Sequence, residues 1–149
     1  MKPGFRDRLG RLIGRPPAAM QVAALCLNPA RDRVLLITSR GTGRWVIPKG
    51  WPMPGLSMAQ AAAQEAWEEA GIRGRVGPDP IGHYSYAKTQ DRGFAIPIEV
   101  AVYVLDTDEA AQDFPERDQR RRQWFYPVEA AGLVAEDGLR QILLRLTQQ

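Results

Sequence analysis

Glu65 is followed three and four residues later by Glu68 and Glu69. On a helix those spacings place the three carboxylates on one face, within reach of one another. The three charges repel one another, and near the C-terminal end of a helix the macrodipole also disfavours them. Clustered carboxylates are hard oxygen ligands that suit Mg²⁺ or Mn²⁺, and Mg²⁺ usually completes its shell with substrate phosphates. The spacing therefore predicts metal-assisted phosphate chemistry, with a solvated acidic helix face as the alternative.

The helix that would carry these glutamates is predicted over Ser57–Ala70. Ser57 and Gln60 have the spacing of a capping box, and Gly71 stands where helices commonly end in a left-handed residue. A stripe of leucine and isoleucine predicts a C-terminal helix over Glu136–Leu146. Strands are predicted at Met20–Leu27, Arg33–Ser39, Ile81–Ala87, Ala95–Leu105 and Gln123–Tyr126, and a loop at Asp106–Arg117. This order of elements indicates a mixed α/β layered domain.

Length and composition narrow the class of protein. A chain of 149 residues has the size of one domain, and 44% hydrophobic with 25% charged residues excludes disorder along its whole length. Its apolar runs are shorter than the ~20 residues of a membrane-spanning helix, so no membrane partner is expected. Cys26 is the single cysteine, which favours a reducing, cytoplasmic setting. Residues 1–18 are predicted to form a flexible basic arm and residues 19–149 the folded domain.

The charge balance points to a small anionic substrate. A net charge of +3 is too small to indicate a dedicated nucleic-acid protein, so no nucleic-acid partner is expected. Arginine forks suit phosphate oxygens, which makes Arg44, Arg92 and Arg122 candidates for binding a polyphosphate substrate. Lys49 is a fourth candidate. His83, the only histidine, is expected to have a structural role, and the chain to be a monomer or a homodimer.

The stretch from Gly50 to Ile72 resembles the Nudix box, the signature of Nudix hydrolases. The box reads Gly, five residues, Glu, seven residues, Arg-Glu, an aliphatic residue, any residue, Glu-Glu, any residue, Gly and an aliphatic residue. The chain supplies matching residues at Gly50, Glu65, Glu68, Glu69, Gly71 and Ile72, and Trp45–Gly50 resembles the family's lead-in. The resemblance implies a Nudix-like αβα sandwich, with a mixed sheet packed between helices in a single domain.

The resemblance also implies roles for individual residues. Glu65, Glu68 and Glu69 would be catalytic residues that hold Mg²⁺ or Mn²⁺, and one of them would act as general base. The carbonyl of Gly50 would be a further metal ligand. Glu116 lies where several family members place an additional glutamate that serves as ligand or base.

Two positions depart from the box, because Leu56 and Gln64 replace its first glutamate and its arginine. In the family these two side chains form an ion pair that braces the loop against the helix. A charge left without its partner is costly when buried, whereas loss of both leaves no such charge. We therefore interpret Leu56 and Gln64 as a paired replacement.

Hydrolysis of a phosphoanhydride bond is the function that the resemblance implies. The substrate would be a nucleoside diphosphate derivative, a dinucleoside polyphosphate or an inositol pyrophosphate. The segment Glu116–Ala131 resembles the branch that contains diphosphoinositol polyphosphate phosphohydrolases and diadenosine polyphosphate hydrolases. The alternatives are a Nudix-fold module that binds a phosphorylated ligand without turnover, and a pyrophosphohydrolase of RNA 5′ ends.

Overall fold

The computed structural model describes residues 19–89 and 93–147, and a mixed sheet runs through its centre. The strands are β1 (Ala19–Leu27), β2 (Val34–Thr38), β3 (Trp45–Val46), β4 (Lys49–Gly50), β5 (Ile72–Val76), β6 (Gly82–Thr89), β7 (Ala95–Ala110) and β8 (Arg122–Phe125). The helices are α1 (Met58–Ala70), α2 (Pro127–Leu133) and α3 (Asp137–Leu146).

The central pair of the sheet is parallel, and the strands around it are antiparallel. β1 runs alongside β7 from the pair Ala19↔Ile98 to the pair Leu27↔Asp106. β2 pairs with β1 at Leu27↔Val34, and β4 takes its place beside the earlier part of β1. The sheet therefore splays between β1 and β2, and the short strand β4 stands in the opening.

Side chains of β1 alternate between two apolar clusters. Val22, Ala24 and Cys26 pack with the alanine-rich face of α1, whereas Ala23 and Leu25 pack with α2 and α3 on the opposite face. A strand buried on both faces has a continuous apolar sequence, as β1 does. The αβα sandwich with a single mixed sheet is confirmed.

The caps of α1 form as the sequence predicts. The Ser57 hydroxyl accepts a hydrogen bond from the Gln60 backbone at 3.1 Å, and the Gln60 side chain accepts one from the Ser57 backbone at 2.8 Å. Gly71 ends the helix with φ 68°, and a Cβ there would overlap the ring of Phe114. Both ends of the helix that carries the glutamates are therefore fixed.

The prediction of a loop over Asp106–Arg117 is wrong for residues 106–110, which continue β7. These residues form a strand because β5, which was not predicted, pairs with the end of β7 from Ile72↔Ala110 to Val76↔Leu105. Pairing partners outweigh the weak strand propensity of acidic residues. The helix α2 and the two-residue strand β4 were also not predicted.

The predicted basic arm, residues 1–18, lies outside the described residues. Among the described residues, no helix is long and apolar enough to span a membrane.

Candidate active site

A cleft of about 670 Å³ opens where the sheet splays around β4. Along β4, Gly50 pairs with Val22 on the α1 side, and Lys49 pairs with Ala23 on the side of α2 and α3. Carboxylate side chains and lysine side chains therefore both line the cleft. We call Glu65, Glu69, Glu116 and Arg120 the carboxylate wall, and Gln21, Lys49, Tyr86 and Lys88 the strand wall.

The carboxylate wall begins with a close contact between Glu65 and Gly50. A Cβ built on Gly50 would overlap the carboxyl group of Glu65, so this approach requires glycine. The backbone N–H of Lys49 donates to Oε1 of Glu69 at 3.3 Å. Strand β4 thus holds both carboxyl groups, which α1 presents one turn apart.

Glu65 and Glu69 share a hydrogen bond in a poorly solvated place. Burial, this hydrogen bond and the neighbouring charges raise the pKa of Glu65 from 4.5 to about 8. Burial also raises the pKa of Glu69, although its hydrogen bond with Glu65 and the charge of Arg120 oppose the shift. Two adjacent buried carboxyl groups cannot both ionise freely, so the pair retains one proton at neutral pH.

The donors at this pair fit a divalent cation in type and charge. Glu65, Glu69 and Glu116 bring carboxylate oxygens to one cleft, and Gly50 lies against Glu65. Within residues 19–89 and 93–147, no three acidic, histidine or cysteine side chains stand together as a complete ligand set. Glu65 and Glu69 are therefore a pair of candidate metal ligands.

Glu68 lies outside the residues that line the cleft, contrary to its predicted place with the other two glutamates. Its carboxylate accepts a hydrogen bond from Gln64 Nε2 at 3.2 Å, one helical turn away. Its backbone carbonyl accepts from the N–H of Glu116 at 3.0 Å. In this arrangement Glu68 anchors the segment that delivers Glu116.

Arg120 is a cleft residue that the sequence did not single out from the neighbouring arginines. Its side chain is only 9% exposed, and Nε lies 3.0 Å from Oε1 of Glu116. Its Nη2 is 3.8 Å from Oε2 of Glu69, and its Nη1 donates to the carbonyl of Thr38 at 3.2 Å. The spacing of four residues between Glu116 and Arg120 was the available signal. Arg120 partly neutralises the carboxylate wall.

The strand wall carries cations over aromatic rings. The ammonium of Lys49 lies 5.3 Å from the ring centre of Tyr86, and that of Lys88 lies 5.5 Å from the ring centre of Trp51. Burial lowers the pKa of Lys49, and the charge of Glu136 opposes this shift most strongly. Of this wall, only Lys49 was predicted to bind substrate.

Of the three predicted arginines, Arg44 and Arg122 lie outside the cleft lining. Arg122 donates instead to the backbone carbonyls of Ala70 and Ala111 at 2.6 and 2.5 Å, where it supports the end of α1. Arg44 is exposed and does not line the cleft. Arg92 lies outside the described residues. His83 is exposed on β6, also outside the cleft lining, and its structural role stays a prediction.

Leu56 and Gln64 line a second groove, of about 530 Å³, on the outer side of α1. Leu56 is 42% exposed, and the amide of Gln64 is engaged by Glu68. Neither position leaves a charge without a partner. The interpretation as a paired replacement stays a prediction.

A match to a protein-family model shows to which family the chain belongs. The NUDIX domain matches residues 18–146, which include the whole described domain except its last residue. The chain belongs to the Nudix family.

Two similar curated proteins are both named diphosphoinositol polyphosphate phosphohydrolases. Bovine (Bos taurus) diphosphoinositol polyphosphate phosphohydrolase 3-beta is 35% identical over 109 residues, which are 70% of this chain and 62% of the relative. Rat (Rattus norvegicus) diphosphoinositol polyphosphate phosphohydrolase 2 is 30% identical over 125 residues, 81% of this chain and 65% of the relative. The match thus spans less than two thirds of the length of these relatives.

Solved structures support the same fold. The MutT protein from Methanosarcina mazei Go1 has a TM-score of 0.63 at 24% identity, covering 89% of this chain and 94% of its own. The Ap4A hydrolase of C. elegans has a TM-score of 0.59 at 20% identity, covering 88% of this chain and 96% of its own. At these identities the likeness establishes the fold alone.

Proposed function

We propose that this Nudix protein is a metal-dependent pyrophosphohydrolase that cleaves a phosphoanhydride bond of a dinucleoside polyphosphate or an inositol pyrophosphate. The observation that carries the proposal is the buried Glu65–Glu69 pair, which shares a hydrogen bond in a cleft that also contains four cationic side chains. The names of the relatives suggest the substrate class, and the cleft supplies the chemistry.

Mg²⁺ or Mn²⁺ is the proposed cofactor, because the available donors are carboxylate and carbonyl oxygens. Glu65 and Glu69 would hold it, with the Gly50 carbonyl and Glu116 as further candidate ligands. When bound, such an ion polarises phosphate oxygens and lowers the pKa of a water molecule. Binding would displace the proton that the Glu65–Glu69 pair retains.

The remaining residues of the cleft bind and orient the substrate. Lys49 and Lys88 present ammonium groups to a polyphosphate chain from the strand wall. Arg120 sits between Glu69 and Glu116, where its guanidinium can exchange a carboxylate for a phosphate oxygen as charge develops there. One carboxylate of the wall would accept a proton from the attacking water.

A cytoplasmic setting belongs to the same proposal. Cys26 is buried and free, and burial raises the pKa of its thiol to about 12. A thiol in this environment is unreactive and needs no disulfide partner.

Turnover in the presence and absence of metal tests the function. Purified protein is incubated with diadenosine tetraphosphate, an inositol pyrophosphate, a nucleoside diphosphate sugar or a 5′-triphosphorylated RNA, with Mg²⁺, Mn²⁺ or EDTA. We expect metal-dependent release of phosphorylated products from one of the first two. Saturable binding of these substrates without product would instead identify a binding module, and cleavage restricted to triphosphorylated RNA would identify an RNA 5′-end enzyme.

A further inference from the structure

Gln21 is a polar residue in a strand that is otherwise apolar from Val22 to Leu27. Gln21 is buried, with only 4% of its surface exposed, yet it lines the cleft together with Lys49 and Tyr86. Burying an amide is unfavourable unless its polar atoms find partners. A buried amide at the wall of a substrate cleft therefore calls for a specific explanation.

The oxygen atom of the Gln21 amide already has a hydrogen-bond partner. The hydroxyl of Tyr86 donates to Oε1 of Gln21 at 2.7 Å. Since Oε1 of Gln21 faces the hydroxyl of Tyr86, Nε2 of the same amide is directed away from Tyr86. Rotation of the amide would break this hydrogen bond. No acceptor for Nε2 is found among the described residues. Nε2 is also not among the fully buried polar atoms that lack a partner. Because Gln21 lines the cleft, Nε2 is the atom of this amide left to meet a ligand there.

Tyr86 is itself held in place from several sides. Its backbone pairs with Ile98 in the middle of the β6–β7 ladder, and its ring lies 6.5 Å from that of Tyr84. Lys49 covers the ring with its ammonium group at 5.3 Å from the ring centre. Because Tyr86 is fixed, the amide of Gln21 that it holds loses little conformational freedom when a ligand binds, and such preorganisation favours tight binding.

We propose that Gln21 is a specificity-determining residue that donates from Nε2 to an oxygen atom of the bound polyphosphate, and that Tyr86 is its positioning residue. The proposal rests on the function proposed above, because it assigns that substrate to this cleft. The accepting oxygen belongs either to a phosphate or to the hydroxyl or carbonyl group of the moiety that the phosphates esterify.

Binding of two non-hydrolysable probes separates these sources of the oxygen. Methylenediphosphonate offers phosphonate oxygens alone, and a methylene-bridged analogue of diadenosine tetraphosphate adds ribose and base. Calorimetry with saturating Mg²⁺ gives Kd for wild type, Gln21→Glu, Gln21→Met and Tyr86→Phe. Gln123→Met is the matched control, since Gln123 is an exposed glutamine of β8 outside the cleft. Thermal unfolding checks that each variant folds.

Gln21→Glu keeps the acceptor for Tyr86 and replaces the donor with an anionic oxygen. We expect it to weaken binding about 10- to 100-fold, Gln21→Met about 3- to 10-fold, and Gln123→Met not at all. Losses with both probes identify a phosphate oxygen as the acceptor. A loss confined to the diadenosine analogue identifies the esterified group.

Tyr86→Phe retains the ring beneath Lys49 and removes only the hydroxyl that fixes the amide. We expect a loss of about threefold in wild type and no further loss in Gln21→Met, because the hydroxyl acts through Gln21. On a hydrolysed substrate, KM should change more than kcat. An equal loss in both backgrounds contradicts the positioning role.

Two results would overturn the proposal in distinguishable ways. If wild type binds a probe and Gln21→Glu and Gln21→Met bind it equally well, Gln21 is a structural residue and the proposed function stands. If wild type binds neither probe and hydrolyses neither substrate, the proposed function fails together with the role of Gln21.

Discussion

The two walls of the cleft arise from the chain in different ways. The core of the carboxylate wall comes from one helix, in which Glu65 and Glu69 stand one turn apart and Gly50 closes against them. The strand wall joins Gln21 of β1 to Tyr86 of β6, which are far apart in sequence and meet only because both strands flank β7. Local spacing therefore builds the core of the carboxylate wall, whereas tertiary pairing builds the strand wall.

The largest expected effect is at the carboxylate wall. Glu69→Gln removes one charge with little change in shape, so folding should survive while hydrolysis falls by two or more orders of magnitude, on the order of 3 kcal/mol of barrier. Glu68→Gln is the matched control from the same helix, and its loss should be smaller because Glu68 does not line the cleft. Steady-state kinetics with Mg²⁺ measure both. Near-wild-type turnover in Glu69→Gln would contradict the metal assignment.

Gly50→Ala tests the contact on which the carboxylate wall depends. The added Cβ would overlap the carboxyl group of Glu65, so Glu65 must turn away or β4 must shift. We expect a stability loss of about 1–3 kcal/mol and a turnover loss of tenfold or more. Gly132→Ala, where a Cβ meets open space, is the control and should retain activity. Equal turnover in both variants would show that the contact is dispensable.

The pH dependence of stability distinguishes the Glu65–Glu69 pair from an ordinary acidic face. In the folded protein the pKa of Glu65 is about 8 against 4.5 when unperturbed, so the folded state holds the extra proton between these values. The contribution of Glu65 to stability without metal should therefore be fully present below pH ~4.5 and should be lost as the pH rises through 8. Denaturant unfolding in EDTA measures this slope, which Glu65→Gln should flatten. An unchanged slope in Glu65→Gln would refute the shared proton.

The smallest expected effect concerns the residues behind the carboxylate wall. If Leu56 and Gln64 are a paired replacement, Leu56→Glu and Gln64→Arg should each reduce the Mg²⁺-dependent rate, and the double variant should recover part of it. The coupling expected from a double-mutant cycle is about 0.5–3 kcal/mol. Additive effects on stability and rate would mean that the two positions are independent.

The sequence predicted the parts of this Nudix domain that depend on local patterns. The capped helix α1, the strands β1 and β2 and the box residues Gly50, Glu65 and Glu69 lie where spacing and resemblance indicated. Glu68 lies outside the cleft lining, because a helical face is broad enough for neighbouring glutamates to meet different surroundings, and its predicted role as a metal ligand stays a prediction. Arg122 contacts the end of α1, which a run of arginines in the sequence does not reveal, and its predicted role in binding substrate also stays a prediction.

Other features depend on contacts that no local pattern encodes. Strand β5 forms because the end of β7 offers it a partner, although the sequence of β7 there is acidic. Gln21 reads as a solitary polar residue until Tyr86 is placed beside it. Arg120 is indistinguishable from Arg121 in the sequence, and only the fold buries it between Glu69 and Glu116.

We propose that Glu65 and Glu69 share a proton which a divalent cation replaces. Calorimetric titration with Mn²⁺ at pH 7, repeated in buffers of different ionisation enthalpy, counts the protons released when the metal binds. We expect release of about one proton per bound metal, and much less in Glu65→Gln, which has no such proton to lose. Metal binding to the wild-type protein without proton release would contradict it.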